Sequence, residues 1–489
     1  MDFDGTRNHA PIREARLGAL TGYCGTFGQI AEASQGCRIR DRERAFSQTT
    51  ACGSGCAHHI LSQVFDAAVV NHGPAGCIAD STYGNVTNLW NLKDRHMRLF
   101  NVPVITSNMT EKDTVFGGAE KLKAAVREAY RRFAPKAIFV ATSCASGIIG
   151  DDIESIVDEL RPEIPATLAP VFCDGFRSRV WASGFDAAYH AVLTHIVKPP
   201  REKHPERVNV INFWGRARKE IGELFAPLGL TPQFIISFST IDELERISEA
   251  RATITNCQTL GTYLGAGLEE KFGVPLVKSL PPHGMAGLDN WLRELGKTIG
   301  AELEAEKIIA AQRERYLPGI EAIRKRLKGK RAVIGMGPGF GHGFIGAMEE
   351  LGIEVVHVIS WHYDQQHDHG QCPYATQRLG RERADVPVTV GDQQVFELVN
   401  VLRDAKPDLY FSRHVGTSIW AAKMGIATLA TLDEYAVFGY RGLLAFGHRL
   451  ADITTNRAFA NRIAGRLKLP YTQWWLEQKA DTYLKEAAL

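Results

Sequence analysis

Short apolar runs alternating with amphipathic stretches set the pattern of this chain from about residue 66 onward. Ala67-Ala-Val-Val-Asn71 and Ala137-Ile-Phe-Val-Ala141 are uniformly apolar and short, which predicts strands buried on both faces. Between them, Glu111 to Phe133 places apolar residues at helical spacing with Lys and Arg opposite, which predicts a long amphipathic helix. Asp151 and Asp152 precede the helical stretch IESIVDELR, where carboxylates suit the positive end of a helix. Leu168-Ala-Pro-Val-Phe-Cys173 is the next strand. This strand–helix alternation predicts a doubly wound parallel sheet.

The pattern restarts twice. After the linker KPPREKHPER come the strand Arg207-Val-Asn-Val-Ile-Asn-Phe213, the helix ARKEIGELFAPLG and the strand Gln233-Phe-Ile-Ile236. After the basic helix IEAIRKRLKGK come strands Lys330–Gly335, Ile353–Ile359 and Asp408–Phe411. The predicted class is α/β with three Rossmann-like domains. Their expected bounds are an N-terminal arm at 1–45, then 46–203, 204–328, and 329–489 with C-terminal helices. The arm shows no clean period and reads as irregular with one short helix.

A chain of 489 residues exceeds what one core fills, so several domains fit its length. The 45% apolar and 23% charged fractions are ordinary for a globular protein, and a formal charge of +2 gives no field for nucleic acid or an anionic membrane. No apolar run approaches the ~20 residues that span a bilayer, and the N-terminus is polar, so a cytoplasmic protein is expected. Disulfides are then not expected, and the nine cysteines need another explanation.

Ala51–Cys77 holds three of those cysteines and ends in the turn His72-Gly-Pro-Ala-Gly-Cys77. Cys144 stands just past the strand 137–141. Thiolates on short turns at strand ends can hold iron–sulfur clusters, and Gly76 would let backbone approach a bulky one. Zinc competes, but the paired spacing of a closed four-cysteine site is missing. Cys257 ends the strand ATITN and reads either as a buried thiol or as a ligand. Gly335-Met-Gly-Pro-Gly-Phe-Gly-His-Gly343 reads as backbone brought close to a bulky ligand, or as a flexible turn. Its GxGxxG match, starting at Gly341, is displaced from the strand end. Trp361–Cys372 packs His362, His367 and His369 with two aspartates and a cysteine. It reads either as a polar loop or as a source of metal ligation or proton delivery.

Taken together, HGPAGC, TEKDTVFGGAEKL, SCASGIIGDDIES, CDGFR, CQTLGTYLGAGLEEKFGVP and FGYRGLLAF resemble the landmarks of the nitrogenase component 1 superfamily, and of its α-type subunit, in the family's order from about Cys52 to Arg449. The resemblance implies an α2β2 heterotetramer with a homologous β-subunit and an 8Fe–7S P-cluster shared with that subunit. On this side the cluster would be held by Cys77, Cys144 and Cys52, with Cys52 preferred to Cys56. It also implies a large Fe–S cofactor hung from Cys257 and an ATP-dependent iron-protein reductase as transient electron donor. The departures concern the cofactor pocket. Phe438 stands where the family has a cofactor-ligating histidine, and Trp181 and Phe185 stand where it has a glutamine and a histidine. The homocitrate-holding lysine is missing from SRHVGTS, and the 335–343 stretch lacks the family's arginines.

Among nitrogenase-like enzymes this pattern looks most like the methylthio-alkane reductases, which cleave C–S bonds of small thioethers. The cofactor would then be iron-only, an 8Fe–9S–carbide type. Gly337, Gly339, Gly341 and His362 would bind it, a histidine of 362–369 replacing the lost ligand, with Trp181, Phe185 and His367 serving catalysis. The alternatives are a cofactor-assembly scaffold and a tetrapyrrole-type nitrogenase-like reductase.

Overall fold

The computed structural model describes residues 9–45, 47, 52–78, 89, 92–93, 99, 102–212, 217–236, 239–391, 394–413, 415–430 and 437–485. The chain divides into two compact units. The first comprises Met1–Arg16, Ala51–Asn256 and Leu260–Val277, and the second comprises Leu17–Thr50, Cys257–Thr259 and Lys278–Leu489. Strand β1 (Gly22–Thr26) comes first in the chain and belongs to the second unit.

The first unit holds two parallel sheets. Strands β2 (Ala67–His72), β3 (Val104–Thr106), β4 (Ala137–Thr142) and β5 (Thr167–Val171) pair in the order β3-β2-β4-β5. Strands β6 (His204–Ile211), β7 (Thr231–Ile235) and β8 (Ala250–Thr255) pair in the order β7-β6-β8. The strands with unbroken apolar runs are the central, wholly buried ones, as parallel strands covered on both faces require. Helix Ala119–Phe133 buries Leu122, Ala125, Val126 and Ala129 against Ala68, Val70, Ile138 and Val140 of the sheet. Its basic face stays outside, where Arg127 pairs with Glu163 at 2.8 Å. The helix expected over Glu111–Phe133 is broken into Glu111–Phe116 and Ala119–Phe133. Gly117 takes φ +90°, open to glycine and costly to a side chain, and a Cβ on Gly118 would meet His72 Cε1 at 2.7 Å.

The two adjacent carboxylates do not both cap the following helix. Asp152 is the cap of Ile153–Leu160, accepting from Ser155 N. Asp151 instead accepts from Gly118 N at 2.9 Å and lies 2.8 Å from His72 Nε2, tying the end of β2 to the glycine break.

The second unit contains a six-stranded sheet. It comprises β1, β9 (Arg331–Met336), β10 (Glu354–Ser360), β11 (Pro387–Gly391), β12 (Leu409–Ser412) and β13 (Ala427–Ala430), in the order β1-β11-β10-β9-β12-β13. All pairings are parallel except that of β1 with β11. The arm expected to be irregular therefore supplies an edge strand and, directly after it, helix Phe27–Ser34. Gly-Tyr-Cys-Gly-Thr has little strand propensity of its own, and its pairing with β11 overrides that.

The 335–343 stretch is not a flexible turn. Helix Pro338–Glu350 begins there, with Gly337 as its cap and Pro338 in its first turn, where the fixed proline φ suits a helix start.

A buried ion cluster anchors the other arm segment within the first unit. Arg13 donates to Asp186 through both Nε (2.8 Å) and Nη2 (2.9 Å), and Arg16 Nη2 donates to the same carboxylate at 2.5 Å. Arg13 and Asp186 are fully buried. Removing one partner of such a pair strands the other in low dielectric, so Arg13→Met should destabilise the first unit by about 3 kcal/mol. Urea unfolding of the purified chain checks this, and a loss below about 1 kcal/mol would contradict it.

Candidate functional site

In-register parallel pairing sets His72 beside Thr142 at the carboxyl ends of β2 and β4. The chain leaves β2 through a single 3-10 turn, Ala75–Ile78, which carries Cys77. It leaves β4 through Ser143, whose hydroxyl donates to His72 O at 2.7 Å, and Cys144 opens the next helix. Cys52 caps helix Gly53–Leu61 in extended backbone. Two of the three thiols, those of Cys52 and Cys144, meet at Gly175, on the segment after β5. A Cβ there would sit 3.0 Å from Cys52 Sγ and 3.3 Å from Cys144 Sγ. Cys77 completes the group: burial first, and then the charges of Cys52 and Cys144, push its thiol pKa upward.

The neighbouring cysteines belong elsewhere. Cys56, one turn into the same helix, is buried against the Arg13–Asp186 pair, and burial raises its thiol far above the ordinary value. Cys173 donates to Thr142 O at 3.4 Å, and burial pushes it up to about 12. Both are thiols that stay protonated, whereas Cys52 and Cys77 are exposed. Trp181 and Phe185 lie together in the same unit, rings edge to face at 5.8 Å, at the start of helix Ser183–Ala191. That helix packs against Gly53–Leu61 so closely that a Cβ on Gly184 would meet Gly53 O at 2.1 Å.

The second unit gathers a different set. Cys257 is buried, its Sγ 3.2 Å from Thr259 Oγ1. Gly339, in the first turn of helix Pro338–Glu350, presses on both: a Cβ there would meet Cys257 Sγ and Thr259 Oγ1 at 2.7 Å. Gly341 packs against Met336 instead, and nothing but Trp361 comes near Gly337. The 361–372 stretch is not a solvated loop, because His362, Asp364, Gln365, His367 and Asp368 are all buried. His362 Nε2 lies 3.6 Å from Asp364 Oδ2. His367 hydrogen-bonds the backbone of Gln258, next to Cys257, and burial holds its pKa down to about 3. Phe438 is a packing residue, its ring edge to face with Trp291 at 6.0 Å. It forms an antiparallel bridge with His283, a buried histidine whose ring lies 4.5 Å from Phe344. His414, in the SRHVGTS stretch, lies outside the described residues.

Sequence reasoning passed over Gly175, His283 and Tyr374. The glycine of Cys-Asp-Gly was the available signal for the first, since an unbranched position beside thiols marks close approach.

The fold is an α/β architecture of largely parallel sheets, with cysteines gathered at strand ends of the first unit. The profile of the family described as "Nitrogenase component 1 type Oxidoreductase" matches residues 52–455, and the chain belongs to that family, as an α-type subunit. It is 32% identical over 308 residues to the nitrogenase molybdenum-iron protein alpha chain of Methanosarcina barkeri, covering 61% of this chain and 57% of that relative's length. It is 30% identical over 417 residues to the nitrogenase iron-molybdenum cofactor biosynthesis protein NifE of the same organism, covering 81% and 86%. The solved structure of nitrogenase Cp1 at pH 6.5 has the same fold, with a TM-score of 0.71 at 20% identity over 88% of this chain and 93% of that one.

Among the described residues no three His, Cys, Asp or Glu side chains converge on a single metal ion. A multi-iron cluster is several ångströms wide and needs thiolates spread around it; Cys52 and Cys144 flank Gly175, and Cys77 is near enough for their charges to act on its thiol. The absence of a side chain at Gly175 beside the Cys52 and Cys144 thiols suits such a group, whereas Gly339 packs tightly on Cys257. Gly175→Ala should therefore cost most of the cluster iron while the far-ultraviolet circular dichroism stays unchanged. Cys56→Ala, by contrast, should keep its iron. Colorimetric iron analysis of both purified variants decides, and equal iron in the two would contradict the assignment.

Proposed function

We propose that this chain is the catalytic α-subunit of a nitrogenase-like reductase that cleaves C–S bonds of small methylthio-alkanes. The family generally carries a P-cluster and a large Fe–S cofactor, in heterotetramers with a β-type subunit served by an iron protein. On this reading Cys52, Cys77 and Cys144 hold the P-cluster shared with the β-subunit. Exposed Ile148 and Phe176, on the segments that carry Cys144 and Gly175, are apolar surface for that subunit to cover. Cys257 would anchor the large cofactor through its thiolate, with Gly339 lying against that cysteine and His362 as the second contact. When bound, these groups supply low-potential electrons one at a time.

The chain's own residues then divide the remaining work. Trp181 and Phe185 offer an aromatic surface suited to methyl and alkyl groups and unable to move protons. Phe438 and Trp291 exclude water from their surroundings in the second unit. His367 holds a transferable proton beside the Cys257 segment. The reaction breaks one C–S bond and forms one C–H and one S–H bond. It consumes two electrons from the iron protein and two protons from water, and it releases an alkane and methanethiol.

His367 is the observation that carries this reading. A reductase needs a group that can relay protons near its cofactor anchor, as a neutral imidazole can, whereas a scaffold that only holds a precursor does not. Similarity to a cofactor-biosynthesis protein over 81% of the chain favours the scaffold as second reading. Two measurements separate and test them. The purified complex, given iron protein, ATP and ethyl methyl sulfide, should release methanethiol and ethane, and the scaffold reading predicts none. Cys257→Ala should lose more than about tenfold of that rate together with the cofactor's iron. Full iron and full activity in this variant would remove Cys257 from the site.

A further inference from the structure

Within the second unit, His367, His369 and Tyr374 form a closed triangle of rings. Centroids lie 5.2 Å apart for His367 and His369, 5.4 Å for His367 and Tyr374, and 5.9 Å for His369 and Tyr374, the last pair stacked at 20°. A tight turn fixes the arrangement. His367 N donates to Gln371 O at 2.7 Å, Gly370 N donates to His367 O at 2.8 Å, and Gly370 takes φ +77°. Burial falls steadily along the group: His367 is fully buried, His369 and Tyr374 are half-buried, and Gln371, which accepts from Tyr374 Oη, is exposed. At the inner end His367 bonds the Gln258 backbone. Two ring nitrogens, His367 Nε2 and His369 Nδ1, have no hydrogen-bond partner among the described residues. Buried imidazole nitrogens left that way are costly, so each points to a water or a ligand.

We infer that Tyr374 and His369 are the solvent end of a proton-entry path whose inner end is His367. The inference rests on the reductase reading and adds to it where the protons of the new C–H and S–H bonds come from. A proton from water reaches His369 past Tyr374, passes to His367 through a water bound by the unpartnered His369 Nδ1 and His367 Nε2, and leaves from the buried imidazole. At His367 one ring nitrogen is tied to the Gln258 backbone, so Nε2 both takes up and releases the proton, through a short-lived imidazolium that Asp364 favours against burial. The charged groups that face the path agree with this. Besides burial, Lys278 holds the His369 pKa down, and Asp364 opposes burial at His367. Tyr374 and His369 act through His367, so they are positioning and relay residues.

The complete complex with β-subunit and iron protein provides the test. His369→Gly should lower methanethiol release about tenfold or more with cofactor iron unchanged. Added imidazole should restore a large part of the rate, and Tyr374→Phe should raise the solvent deuterium isotope effect. An undiminished rate, or a loss that imidazole does not repair at full iron content, would overturn the path. A second readout is independent of the thioether chemistry. Histidine C2 hydrogen–deuterium exchange, read by mass spectrometry on the cofactor-free protein, should show His367 exchanging on the same timescale as His369. Protection of His367 while His369 exchanges would overturn the path, even in a protein that reduces no thioether.

Discussion

Register between β2 and β4 is the constraint on which the thiol site depends. Parallel pairing that puts His72 level with Thr142 sets the two following turns side by side, so Cys77 and Cys144 meet although far apart in sequence. A one-residue slip would turn every side chain of a strand to the opposite face. The register is held from both ends. Buried Ala, Val and Ile residues pack under helix Ala119–Phe133, and Ser143 and Asp151 bond to His72 at the strand ends. Gly175 then lies beside the Cys52 and Cys144 thiols without a side chain to crowd them. Stability and site geometry are thus set by the same few residues.

A second glycine plays the corresponding part in the other unit. Gly339 lies in the first turn of a helix started by Pro338, and the helix can lie against Cys257 and Thr259 only because position 339 has no side chain. The groups that a reductive reaction could use follow in the chain. The 361–368 part of the next segment is largely buried, and the tight turn at Gly370 folds His367 back toward the backbone of Gln258. Aromatic packing at Phe438 and Trp291 fills the position that the resemblance associates with a metal ligand. On the proposed reading, the strand-end thiols would carry electrons and the altered surroundings of Cys257 would hold the cofactor of a nitrogenase-like reductase.

Much of the fold was legible because parallel, doubly covered strands carry long buried apolar runs, as β2, β4 and β9 show directly. Strand β1 was not, since its stability comes from pairing with β11 and not from its own Gly-rich residues. The 335–343 stretch misled for a related reason: glycines that suggest a mobile turn are here demanded by close packing inside a helix. At the thiol site, strand-end placement of Cys77 and Cys144 could be read from the apolar runs before them. Which of Cys52 and Cys56 joins them could not, because that depends on where helix Gly53–Leu61 begins. Cys52 caps it and is exposed, while Cys56 faces the buried Arg13–Asp186 pair. The partnership of Gly339 with Cys257 and the ring triangle around His367 are tertiary facts with no local signature.

The central claim is that the chain carries an electron-relay cluster and a large iron-only cofactor. Metal analysis of the isolated heteromeric complex tests it most directly. The account predicts iron well above about four atoms per αβ unit, the content of a single cubane-type cluster, with no stoichiometric molybdenum or vanadium. Molybdenum or vanadium at one atom per αβ unit, or iron at only about four, would contradict it.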